Sequence, residues 1–190
     1  SRVSVRVPAT TSNLGPGFDC LGLALGLHNE LTLELHSGVG EAVIDISGEG
    51  QETLSRDANN LIIRAAQLVL DKRVKGRLVF KAFNRIPMAR GLGSSAAAVL
   101  SGLYAANFLP GNVPVPEEKL LELACGLEGH PDNVCAAIHG GLVVSLKGRE
   151  GFRSYPLEFH KDLAGVVCIP DFELSTKKSR AVLPKKVDRG

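Results

Sequence analysis

Gly91-Leu-Gly-Ser-Ser-Ala96 runs without a break into a stretch of Ala, Ser, Gly, Val and Leu that reaches Phe108. Few folds can use such a junction. Glycines let a backbone curl tightly, and a helix that begins on them presents unpaired N–H groups and the positive end of its dipole. A helix that is small on nearly every face is expected to be buried and closely packed by its neighbours. The junction therefore suits a phosphate-gripping turn at the head of a central helix. It lacks the lysine that a P-loop sets before its Ser/Thr, and Ala96 stands where a dinucleotide fingerprint has its third glycine. Taken alone, it is as readily a structural turn.

Two other segments add to it. Pro8-Ala-Thr-Thr-Ser-Asn-Leu-Gly-Pro-Gly-Phe-Asp19 is too constrained in composition for an ordinary linker, although Asn13 and Asp19 are residues a loop uses for its own turns. Glu128-Gly-His-Pro-Asp-Asn-Val134 sets a histidine, a carboxylate and an amide close together at a helix start. Its His130 could equally cap that helix. The combination points to a small-molecule kinase, which needs a backbone cradle for phosphate, a hard cation and a positioned acceptor. Magnesium takes oxygen ligands, one or two from protein. The Ser94 and Ser95 hydroxyls stand at the helix start, and Glu122, Glu128 and Asp132 are the carboxylates downstream. Composition does not choose among the three.

Hydropathy patterning arranges these segments on an α+β chain. Val3 to Val7 alternates as a strand ending at Pro8, and Leu31 to Leu35 and Ala42 to Ile46 read as two more. Helical spacing runs from Asn59 to Leu70, with Asn59 or Asn60 as N-cap. Arg77 to Phe83 alternates again, and Ser94 to Phe108 is the small-residue helix. Pro116 to Leu127 is amphipathic, with Glu118 and Glu122 on its polar side. A short helix follows His130-Pro131 and ends at Gly140-Gly141. Strands are expected at Leu142 to Leu146 and Gly165 to Ile169, then a helix-like segment from Thr176 to Val182. The strands and helices do not alternate strictly, which favours α+β over a parallel α/β sheet.

Composition removes several function classes. The net charge is +2, with no Lys/Arg block, and aromatics are 5% with no Trp, so neither duplex nor single-stranded nucleic acid has a natural footprint. The four cysteines, Cys20, Cys125, Cys135 and Cys168, form no CxxC pair and have no histidines at zinc spacing. They read as reduced, buried thiols. No apolar run is long enough for a membrane span. A cytoplasmic location is expected, or a plastid one if a transit peptide once preceded Ser1.

In order, PATTSNLGPGFD, IPMARGLGSSAAAV and EGHPDNV resemble the motifs of the GHMP small-molecule kinases, and the first and third resemble those of the homoserine kinase branch. Thr11-Ser12 departs slightly from the commoner Ser-Ala. The resemblance implies an N-terminal GHMP domain (ribosomal protein S5 domain 2-like) over residues 1–160, with the truncated start of a C-terminal α+β domain over 161–190. It implies transfer of the ATP γ-phosphate to the side-chain hydroxyl of L-homoserine, in threonine biosynthesis. Pro87, Met88, Ala89, Arg90, Gly91, Leu92, Gly93, Ser94, Ser95, Ala96 and Ala97 match the ATP phosphate loop, and Asn60 a position near the adenine. Ser95 and Glu122 match the magnesium ligands. Asn13, Asp19, His130, Thr176 and Arg180 match substrate-binding positions, Asp19 suited to an ammonium and Arg180 to a carboxylate. Asn133 matches the residue beside the reacting hydroxyl, and Asp132 is a candidate base. The resemblance is compatible with a homodimer and calls for neither nucleic acid nor membrane. Two other readings stay open: a GHMP kinase for mevalonate or a sugar, and a catalytically silent domain that binds ATP only.

Overall fold

The structure, a computed structural model, describes residues 1–149, 151–172 and 181–182. The strands are β1 (Arg2–Ser12), β2 (Leu21–His36), β3 (Val43–Gly48), β4 (Arg77–Asn84), β5 (Leu142–Gly148) and β6 (Gly151–Leu157). The helices are α1 (Leu61–Gln67), α2 (Ser94–Asn107), α3 (Glu117–Glu128) and α4 (Asp132–His139).

β2 organises the sheet. β1 runs antiparallel along one of its edges from Arg2↔Glu34 to Ser12↔Gly22. The other edge is shared: β4 pairs with Glu30 to His36, and β5 pairs with Leu21 to Leu23. β3 adds parallel to β4 and β6 adds antiparallel to β5, giving the order β3-β4-β2-β5-β6 with β1 beside β2. Alternation sends Val5, Val7, Leu31, Leu33 and Phe80 inward. The opposite face carries polar pairs, including Ser4–Thr32 at 3.0 Å and Lys81–Glu34 at 2.9 Å. The helices cover the apolar face, and α2 packs against β1, β2, α1 and α3. Its Ala96, Ala97, Val99 and Leu103 have no exposed surface, as its small-residue sequence requires.

Several expected boundaries move. The first strand continues past Pro8, because the register slips between Pro8 and Thr10 and the bulge absorbs the missing N–H. The strand expected from Leu31 begins at Leu21; the glycines at 22 and 26 hide its first half from pattern reading. β6 was not foreseen, since Arg153 and Pro156 blur its alternation. Residues 165–169, expected as a strand, pair with no other strand among the described residues and are exposed. Of the expected helix from Thr176 to Val182, all but residues 181–182 lies outside the described residues. Cys125 and Cys135 are buried as expected, but Cys168 is exposed. No described helix is long and apolar enough to cross a membrane.

Candidate active site

The turn before α2 is built for close approach. Ala89, Gly91 and Gly93 all have positive φ, and Gly93, at +66°, is the N-cap of α2 with no side-chain cap bond. A Cβ on Gly93 would lie 2.0 Å from the Thr10 Oγ1 and 3.2 Å from the Asn133 Oδ1. Only glycine fits there. The turn is also tied to β1: the Thr10 N–H donates to the Leu92 carbonyl at 3.1 Å.

Beside the turn lies a mainly apolar cleft of about 230 Å³, whose lining includes Ile46, Leu54, Asn60, Asn84, Met88 and Ser95. Asn60 is the N-cap of α1, its Oδ1 accepting from the Ile62 N–H at 2.9 Å while its Nδ2 donates to the Ser55 carbonyl at 2.6 Å. Of the expected nucleotide residues, Asn60, Met88, Ala89, Ser94 and Ser95 reach this cleft. Pro87 and Arg90 line a neighbouring one with Glu49 and residues 169–171, where the Arg90 Nη2 donates to the Asp171 carbonyl at 3.2 Å. Leu92, Ala96 and Ala97 are core, so they can offer only backbone. Sequence reading missed Asn29, Ile46 and Asn84, which carry no local motif and meet only through sheet pairing, and Leu54, which the turn after β3 brings to the cleft.

The Ser95 hydroxyl donates to the Glu128 Oε1 at 2.5 Å. Glu122 is elsewhere: it pairs with Lys119 at 2.9 Å, and its side chain is 63% exposed. The carboxylate beside Ser95 is thus Glu128 and not Glu122, the one expected to share a magnesium ion with it. The reason is helical geometry, since six residues on α3 are about 240° of rotation and set the two carboxylates on different faces. Hydroxyl and carboxylate oxygens are the hard donors magnesium prefers, and two suffice when phosphates complete the shell.

A third group converges from β1 and α4. The Asn133 Oδ1 accepts from the Thr10 hydroxyl at 2.9 Å, and its Nδ2 donates to the Ser12 Oγ and the Asp132 Oδ1, each at 3.2 Å. Asp132 is 2% exposed and accepts from the His130 Nδ1 and the Asn133 N–H, both at 2.7 Å. Burial works to raise its pKa. The His130 hydrogen bond, the Asn133 N–H, the His130 charge and the Ser12 hydroxyl outweigh that and hold it below the ordinary aspartate value. Asn13, at φ +72°, closes its own loop: its Oδ1 accepts from the Asp19 N–H at 2.9 Å, and its Nδ2 donates to the Ser12 Oγ. Thus Asn13, Asp19, His130, Asp132 and Asn133 form one neighbourhood. Thr176 and Arg180 lie outside the described residues.

A glycine turn on a buried helix, a carboxylate on that helix's second serine and an amide against its N-cap come together on this fold. Residues 60–141 match the family described as GHMP kinases N terminal domain, and the chain carries that domain. More particularly, it is similar to the homoserine kinase of Moorella thermoacetica, 50% identical over 186 residues, which are 97% of this chain and 62% of that protein. The crystal structure of homoserine kinase from Cytophaga hutchinsonii superposes with a TM-score of 0.79 at 28% identity, over 99% of this chain and 62% of that one. The mevalonate kinase of Methanococcus jannaschii shares the fold at 13% identity, with a TM-score of 0.63 over 84% of this chain and 56% of that one. The chain thus spans about three-fifths of the length of the homoserine kinases it matches.

Proposed function

We propose that this chain provides the nucleotide cradle and acceptor-positioning group of an ATP-dependent homoserine kinase. The observation that carries the reading is the meeting of Ser95–Glu128 with Asn133 around one glycine turn. The apolar cleft beside Asn60 takes the adenine, and the turn from Ala89 to Ser95 takes the phosphates. Ser95 and Glu128 would hold magnesium, which when bound would supply charge neutralisation of the phosphate oxygens. The acceptor hydroxyl oxygen takes the γ-phosphoryl group, ADP leaves, and the hydroxyl proton is released. Asp132, with its lowered pKa, is poorly suited to remove that proton, so positioning carries the catalysis.

Asp19, half-buried at the end of the Asn13 loop, receives the substrate ammonium, and Arg180 its carboxylate. Residues 1–160 act as the nucleotide-binding domain and 161–190 begin a second one. The setting is cytoplasmic threonine biosynthesis, with L-homoserine as partner. The similarity to homoserine kinases over nearly the whole chain favours this substrate over mevalonate or a sugar.

The test is ADP release by the product of the complete gene with Mg-ATP and L-homoserine, mevalonate or galactose. Homoserine-dependent release alone is expected. Release on mevalonate or galactose would overturn the substrate, and ATP binding without release on any of them would make the domain catalytically silent.

A further inference from the structure

Thr10 has no exposed surface, yet it carries a hydroxyl and stands where the three sequence motifs meet. Its N–H holds the Leu92 carbonyl of the glycine turn, and its Oγ1 donates to the Asn133 Oδ1 at 2.9 Å. We infer that Thr10 is a positioning residue that, together with Asp132, fixes the Asn133 amide with its oxygen toward the glycine turn. The inference rests on the reading of Asn133 as the group beside the acceptor hydroxyl.

An asparagine amide has two N–H donors and two oxygen lone pairs. Both Nδ2 hydrogens of Asn133 are engaged, by the Ser12 Oγ and the Asp132 Oδ1, and one Oδ1 lone pair is taken by Thr10. What remains is a single lone pair on Oδ1, beside Gly93. Asn133 can therefore accept from an incoming hydroxyl but not donate to it. That turns the hydroxyl hydrogen toward the amide and leaves an oxygen lone pair for the phosphorus.

Two neighbours resist rotation of the amide. An ionised Asp132 only accepts, so a turned amide would set oxygen against carboxylate. Thr10 lost its hydrogen-bond partner would be a buried unsatisfied hydroxyl, which is costly. Thr10 also couples the amide to the phosphates, because the same residue holds the turn. A merely packing role would need the methyl group and not the hydroxyl.

The experiment compares Thr10→Val, which removes the hydroxyl at nearly constant shape, with Thr10→Ser, which keeps it. In the product of the complete gene, Thr10→Val should lower kcat for homoserine at least about tenfold while KM for ATP stays within about twofold. Thr10→Ser should stay within about threefold of the parent kcat. An unchanged kcat in Thr10→Val, or equal losses in both variants, overturns the inference. A second readout is independent of activity: hydrogen exchange of the Asn133 side-chain amide, followed by NMR. Protection in the parent and in Thr10→Ser, lost in Thr10→Val, is the expected result. Exchange in the parent at the rate of an exposed asparagine overturns the proposal, even if Thr10→Val fails to fold. If the parent does not turn over homoserine, the functional reading fails, and the exchange measurement still decides whether Thr10 holds the amide.

Discussion

Buried where α4 meets β1 and β2, Asp132 keeps its charge because His130 and both nitrogens of Asn133 converge on its Oδ1. Sequence reading found the residue and left it as a candidate base. Its surroundings argue against that use, since the donors that stabilise the carboxylate also lower its proton affinity. Its Oδ1 instead accepts from the side-chain amide next to it. A pH dependence follows. The folded pKa lies below the unfolded one, so the stabilisation from Asp132 is complete above the ordinary aspartate range and is lost as pH falls through the folded value. In urea unfolding, the margin of the parent over Asp132→Asn should shrink as pH falls from about 5 to below about 4. A margin that does not change with pH would show that the carboxylate is not held ionised by its donors.

Among the elements, α1 shows how a short helix can be both structural and part of the site. Seven residues are too few to be helical unaided, so the helix depends on its cap and its packing against α2. Asn60 provides the cap and faces the apolar cleft. Asn60→Ala should cost about 1 kcal/mol of stability, read by urea unfolding, and weaken Mg-ATP binding, read by titration calorimetry. Asn60→Asp keeps the capping oxygen but sets a buried carboxylate oxygen against the Ser55 carbonyl, so it should lose at least as much stability as Asn60→Ala and also bind the nucleotide less well. Equal stability in Asn60→Ala and the parent would remove the capping argument. The cap was legible because Asn-Asn stands directly before an apolar-periodic run. The carboxylate beside Ser95 was less so. Glu122 and Glu128 lie on one helix, and choosing between them requires the rotation of α3 relative to α2, which depends on packing and not on local pattern.

At the scale of the whole molecule, the sheet brings together stretches that are far apart in sequence. The bulge at Pro8 turns β1 so that Thr10 and Ser12 meet Asn133, and β4 ends at Asn84 beside the turn that leads to α2. The motifs were legible because glycine, serine and asparagine are demanded by local backbone geometry. The cleft walls from β2, β3 and β4 were not, since their residues become neighbours only through strand register. This assembly makes nucleotide binding a test of the fold as well as of the site. A ligand that binds only the folded chain stabilises it by mass action, by about 2.7 kcal/mol at a hundred times its Kd. ATP should therefore raise Tm in a magnesium-dependent way, and a chelator should remove most of the shift. Glu128→Gln and Ser95→Ala should lose the magnesium-dependent part, whereas Glu122→Gln should keep it, because Glu122 pairs with Lys119 on a different face of α3. The reverse pattern, with the magnesium dependence lost in Glu122→Gln and kept in Glu128→Gln, would return the metal to Glu122 and require α3 to rotate when the nucleotide binds.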